Sequence, residues 1–145
     1  MYKIKKKFPE YPFAHRQWRH DGHCKLIHGH NWTFEIELSG NELDKNGFIY
    51  DFGKFKELKK HFANLFDHTL VVNSDDPLIH EFKKWEDAGI VKLTVVESCS
   101  SEGLAEEIYK MVCLFINESN PEIDIKVESV AVYEDNKNKG VFYAN

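Results

Sequence analysis

Cysteine is scarce in this chain, and the three present, Cys24, Cys99 and Cys113, cannot all pair with one another. Reduced thiols in a cytoplasm are the simplest expectation, since 145 residues can bury a core without disulfides. Long apolar runs are missing too. Nothing approaches the roughly 20 apolar residues of a membrane span, so no membrane partner is expected. Charge at Met1–Lys7 is followed by no apolar segment, so a secretory signal is not expected either. Positive charge is not in excess: the net charge of -5 gives nucleic acid no general attraction. No repeat, low-complexity tract or linker divides the sequence, and one domain over 1–145 is the simplest organisation. The 42% hydrophobic content fits a globular core, and the 30% charged content argues for solubility.

Histidine is concentrated instead. Of the 8 in the chain, His15, His20, His23, His28 and His30 fall close together. In Cys24-Lys25-Leu26-Ile27-His28-Gly29-His30-Asn31-Trp32, an extended backbone points His28 and His30 to one face, because strand side chains alternate. Two imidazoles so placed can share one Zn²⁺, and Gly29 leaves room for an ion or substrate. His15 is the best third ligand, because it ends the apolar run Tyr11-Pro12-Phe13-Ala14 that could pack beside the first strand. His20 and His23 read as loop residues. Three histidines with an unligated Cys24 nearby suit a catalytic zinc with an open position better than a closed structural one. Cys24 is then a potential base or nucleophile. Arg16, Arg19 and Lys25 make the same region locally positive, either as a solvated loop or as an attraction for a small anionic substrate.

Periodicity supplies the frame. Tyr2–Phe8, continuing after Pro9 towards His15, and Trp32–Ser39 read as strands; in the latter, Trp32, Phe34, Ile36 and Leu38 alternate with polar residues. Lys3, Lys5, Lys6 and Lys7 fit the exposed side of an edge strand. Asp51 can cap a helix from about Phe52 to Phe66, with Phe52, Phe55, Leu58, Phe62 and Leu65 inward. A second helix is expected from about Ser101 to Asn117, with Cys113 a small buried hydrophobe. Asn73–Ser98 is the least readable region, with a short helix over Pro77–Asp87 and an extended piece over Ile90–Val96. Ile125–Tyr133 and Gly140–Tyr143 close the chain as strands. The expectation is an α+β fold: a four-stranded antiparallel sheet, order ββααββ, with two helices on one face.

Set in sequence order, His15, Cys24-x-x-x-His28-Gly29-His30, Gly47-Phe48-Ile49-Tyr50-Asp51-Phe52, Asp67-His68-Thr69-Leu70, Ser101-Glu102 and Val132-Tyr133-Glu134 resemble the family of 6-pyruvoyl-tetrahydropterin and 6-carboxytetrahydropterin synthases. The resemblance covers about Tyr11 to Tyr143. It implies His15, His28 and His30 as ligands of Zn²⁺, Cys24 as proton acceptor, Asp67 and His68 as an acid–base pair, and Glu134 as the anchor of the pterin ring. Ser101 and Glu102 would lie near that ring. It also implies the tunnelling fold, in which subunits join their sheets into a barrel, commonly as a homohexamer with sites between subunits. Three residues between Cys24 and His28 are similar to the 6-carboxytetrahydropterin synthases of queuosine biosynthesis. Those enzymes are lyases that convert 7,8-dihydroneopterin triphosphate and water to 6-carboxy-5,6,7,8-tetrahydropterin, acetaldehyde and triphosphate. Triphosphate elimination of the 6-pyruvoyl type is the alternative, and a zinc hydrolase of another small molecule would leave Cys24, Asp67 and Glu134 idle. Two departures from the family pattern stand out: Cys99-Ser100 where Pro-Thr is common, and Gly103 where Asn often stands.

Overall fold

A computed structural model describes residues 1–145. The chain runs β1 (Tyr2–His15), β2 (His28–Gly40), α1 (Lys56–Phe66), β3 (Thr69–Asn73), α2 (Ile79–Asp87), β4 (Leu93–Val96), α3 (Ser101–Glu118), β5 (Ile125–Tyr133) and β6 (Lys139–Tyr143). The strands form one mixed sheet in the order β4-β3-β1-β2-β5-β6. β1, β2, β5 and β6 pair antiparallel, while β3 runs parallel to the end of β1 and β4 parallel to β3.

Sequence alternation explains β2, whose core face is His28, His30, Trp32, Phe34, Ile36 and Leu38, every second residue. On β1 the buried Phe8 and Tyr11 are three apart, a spacing that would put them on opposite faces of a regular strand. The register slips between them, leaving Pro9 and Glu10 opposite Thr33. This bulge falls at a proline, which has no N–H to give the ladder, and it returns Tyr11, Phe13 and His15 to the core face. His15 then lies directly opposite His28. The bulge therefore decides that His15 shares the face of His28 and His30.

Six strands and three helices replace the expected four and two. The piece at Ile90–Val96 becomes β4 and the helix at Pro77–Asp87 becomes α2, but β3 was not anticipated. All five of its residues are buried, so it lacks the alternation that marks a one-sided strand. α2 serves as the crossover that a parallel pair such as β3–β4 requires. Leu58, Phe62 and Phe66 of α1 and Leu104, Ile108 and Val112 of α3 pack into the core beside Phe8, Phe13, Trp32 and Phe34. Burial of each such aromatic stabilises the fold by about 2–3 kcal/mol. Phe52, expected inside, is half exposed, because Phe52–Phe55 forms a 3₁₀ turn before the helix proper. Asp51 does cap that turn, accepting from Gly53 N–H at 2.8 Å. Cys113 is only partly buried.

β1 is interior to the sheet, but β3 pairs only with Phe13–His15, so the lysine-bearing half keeps one free edge. Lys3 and Lys5 pair outward with Glu37, whereas Lys6 lies back over the Phe8 and Phe52 rings.

Candidate metal centre and its surroundings

The inward stripe of β2 continues past the end of the helical cover, and there its apolar residues give way to histidine. His15 is 2% exposed, and His28 and His30 are partly buried. One ligand nitrogen from each lies within 4.8 Å of the others. Trp32 floors the group, edge-on to the His15 and His30 rings at 4.8 and 5.1 Å. Its indole N–H donates to the Phe13 carbonyl at 3.1 Å, which holds it in place.

Hydrogen bonding fixes the chemistry of two of these rings. His15 Nδ1 lies 2.7 Å from the Cys99 carbonyl, and His28 Nδ1 2.7 Å from the Leu26 carbonyl. A carbonyl only accepts, so each Nδ1 carries the proton and each neutral ring turns a lone pair outward at Nε2. Those two Nε2 atoms face each other at 3.1 Å. Two lone pairs at that distance repel unless a cation sits between or beside them. A proton is disfavoured, because burial, together with His28 and His30, lowers the His15 pKa to about 4 against the raising effect of the Cys99 carbonyl. Imidazoles fixed through Nδ1 and converging through the other nitrogen suit a divalent transition metal, and they fit zinc by donor type.

Two depressions meet at His30 and Asn31. One, of about 580 Å³, carries His30, Glu10, Glu134 and Asp135, with Lys7 as its cation. The other, open and about 510 Å³, carries His30, Gly29 and His68. His68 Nδ1 donates to Asp67 Oδ1 at 2.7 Å, and its side chain is 84% exposed. It holds φ 56°, a left-handed conformation uncommon outside glycine, while its own N–H donates to the Pro12 carbonyl at 2.8 Å. Thus Glu134 and His68, 66 residues apart in sequence, come to either side of one histidine.

The other expected site residues line neither of these depressions. Cys24 lies in a 3₁₀ turn (His23–Lys25) on the loop joining the two histidine strands, its carbonyl bound by Gln17 N–H at 2.8 Å. It lines neither depression. Ser101 is buried at the start of α3, bonded to Glu102 at 3.1 Å, and neither lines either of the two depressions. They pack under β6 so closely that a Cβ at Gly140 would fall 2.6 Å from the Glu102 amide nitrogen. Gly103 is equally constrained: a Cβ there would be 2.6 Å from the Ser98 carbonyl, which leaves no room for asparagine.

The expected positive patch is largely spent internally. Arg16 forks onto Asp76 with two bonds of 2.7 Å, and Asp76 has no exposed side chain. Arg19 pairs with Asp75 at 2.9 Å. Both acids come from the region the sequence left unread. Cys99 is fully buried, and burial pushes its thiol up to about 11, so it is not a ready nucleophile. Its carbonyl, which holds His15, was missed because backbone groups leave no sequence signal.

Fold and site together define an α+β protein whose sheet carries three converging histidines able to hold a metal ion. Residues 3–145 match the family model for 6-pyruvoyl tetrahydropterin synthase, and the chain belongs to that family. It is 40% identical over 68 residues to a 6-carboxy-5,6,7,8-tetrahydropterin synthase of Rickettsia conorii, covering 46% of this chain and 49% of that one. The match to the protein of that name from Aquifex aeolicus is 27% over 113 residues, covering 77% and 70%. The chain spans about half the length of the first of these relatives. By structure it is similar to an uncharacterized protein of Wolinella succinogenes, with TM-score 0.84, 22% identity and coverage of 99% and 98%. It is also similar to 6-pyruvoyl tetrahydropterin synthase of Plasmodium falciparum, with TM-score 0.68, 16% identity and 98% coverage of both chains. These two likenesses establish the shared fold.

Proposed function

We propose that this chain is a zinc-dependent 6-carboxytetrahydropterin synthase, a lyase acting on 7,8-dihydroneopterin triphosphate and water. The products are 6-carboxy-5,6,7,8-tetrahydropterin, acetaldehyde and triphosphate, as in queuosine biosynthesis. The observation that carries this reading is the convergence of His15, His28 and His30, two of them with Nδ1 committed to backbone carbonyls. The Cys24-x-x-x-His28 spacing and the names of the curated relatives favour the 6-carboxy product over the 6-pyruvoyl one.

His15, His28 and His30 would hold the zinc, which would supply a Lewis acid able to acidify a C–H bond of the substrate side chain. Cys24, on the loop that joins the ligand strands, is assigned the role of accepting that proton. Asp67 holds His68 by Nδ1, so its Nε2 is left to give or take a second proton. Glu134, in the depression it shares with His30, accepts paired N–H bonds from the guanidine-like edge of the pterin. Ser101 and Glu102, at the start of α3, line neither depression and make no contact with the substrate pocket of the single chain. With Arg16 and Arg19 already paired, triphosphate binding calls on cations beyond these two. That fits a cytoplasmic homohexamer of single-domain subunits with sites shared between neighbours, since β4 and β6 leave sheet edges to join.

Incubation of the zinc-loaded protein with dihydroneopterin triphosphate, followed by mass spectrometry, tests the reading. The 6-carboxy product with acetaldehyde is expected. A 6-pyruvoyl product would move the chain to the alternative reaction, and no turnover of this substrate would refute the proposal.

A further inference from the structure

The residues between β3 and α3 reach the most buried metal ligand through one amino acid. Cys99 commits all three of its polar groups around His15. Its carbonyl accepts from His15 Nδ1 at 2.7 Å, and its thiol donates to the Arg16 carbonyl at 3.2 Å. Its amide N–H donates to Asn73 Oδ1 at 2.8 Å. Asn73 is itself fixed, at the end of β3, opposite Val96 of β4, and 9% exposed. Cys99 lies outside any helix or strand, so no ladder holds its peptide groups.

We infer that Asn73 is a positioning residue of the metal centre, which sets the direction of His15 by anchoring the Cys99 backbone. The causal step is local. Without the Asn73 oxygen the buried Cys99 N–H has no acceptor, and a loop relieves an orphaned donor by rotating its peptides. Rotation about Cys99 carries its carbonyl away from His15 Nδ1, and with it the bond that sets ring tautomer and angle. The remaining tether is a thiol, a weak donor. Segment 69–96 therefore does more than widen the sheet: its first strand delivers the acceptor that keeps one ligand aimed.

This inference rests on the reading that His15, His28 and His30 hold a divalent metal, so the test measures metal directly. Co²⁺ is titrated into chelator-treated full-length protein, following the d–d absorption bands, with thermal unfolding of the same metal-free samples recorded in parallel. Wild type is expected to take one Co²⁺ per chain, and His28→Ala to lose it. Asn73→Leu, similar in size but without an acceptor, is expected to weaken Co²⁺ affinity about tenfold and shift the bands. Asn73→Asp, which keeps the acceptor oxygen, is expected to restore affinity close to wild type. Val72→Ala, one residue away in the small core with Leu70 and Phe82, is expected to lower the unfolding temperature without loosening Co²⁺. Should Asn73→Leu fail to fold, Asn73→Ala is read in its place. The inference is overturned by wild-type affinity in Asn73→Leu, by equal losses in the Asp and Leu variants, or by an equal loss in Val72→Ala. If wild type takes no Co²⁺, or His28→Ala keeps it, the metal reading itself falls and the inference with it.

Discussion

Acid should destabilise the metal-free protein through His15 before it touches the carboxylates. In the folded chain burial lowers the His15 pKa from 6.5 to about 4, and the neighbouring His28 and His30 add to the lowering. The unfolded chain regains the ordinary value. Between these two pH values the unfolded state binds one more proton than the folded state, so stability rises with pH across the window. Above about 6.5 the contribution is complete, and it is lost as pH falls towards about 4. A shift of this size corresponds to about 3 kcal/mol, at roughly 1.4 kcal/mol per unit. No discount for solvent screening applies, because the residue is only 2% exposed. Burial raises the Asp76 pKa, but its bonds to Arg16 and Leu78 N–H outweigh that and hold it below 3.8. Its contribution therefore fades at lower pH. Urea unfolding with chelator present, at several values from pH 4.5 to 7.5, should show about 2–3 kcal/mol of loss in wild type. His15→Asn should lose most of that slope, whatever its stability at pH 7.5. An identical slope in both proteins would refute the placement of a neutral, buried His15 at the centre of the site.

Cys24→Ala should keep metal content and melting behaviour while losing most turnover, because the thiol is assigned a proton rather than the metal; metal analysis showing loss of zinc would make it a ligand instead. Glu134→Gln sets a donor against a substrate donor, so pterin binding should weaken by about 2 kcal/mol or more. Equal affinity by titration calorimetry would remove Glu134 from the ring pocket. Arg16→Met leaves the Asp76 carboxylate buried without its partner and should cost about 3–5 kcal/mol of folding stability. A loss below about 1 kcal/mol in urea melts would show that the fork behaves like a surface ion pair.

Local periodicity made much of this protein legible from its sequence. The alternation in Trp32–Ser39, the helical spacing of Leu58 and Phe62, and the strand Ile125–Tyr133 are properties of neighbouring residues, and the structure keeps them. The pairing of His28 with His30 was equally local, since two residues along a strand share a face. His15 needed more. Its place opposite His28 depends on a bulge at Pro9-Glu10, and a proline in sequence does not announce a register shift. What escaped the sequence altogether came from contacts between distant segments. β3 has no alternation because neighbours cover both its faces, and only the sheet order reveals it as a strand. The Arg16 positive charge is neutralised by Asp76, 60 residues later, and His15 is oriented by the Cys99 carbonyl, 84 residues later. Sequence determined which residues could bind metal, because side-chain chemistry and short spacing are written in it. Tertiary structure decided which are held ready and which charges remain free, because those depend on partners that meet only when the sheet closes.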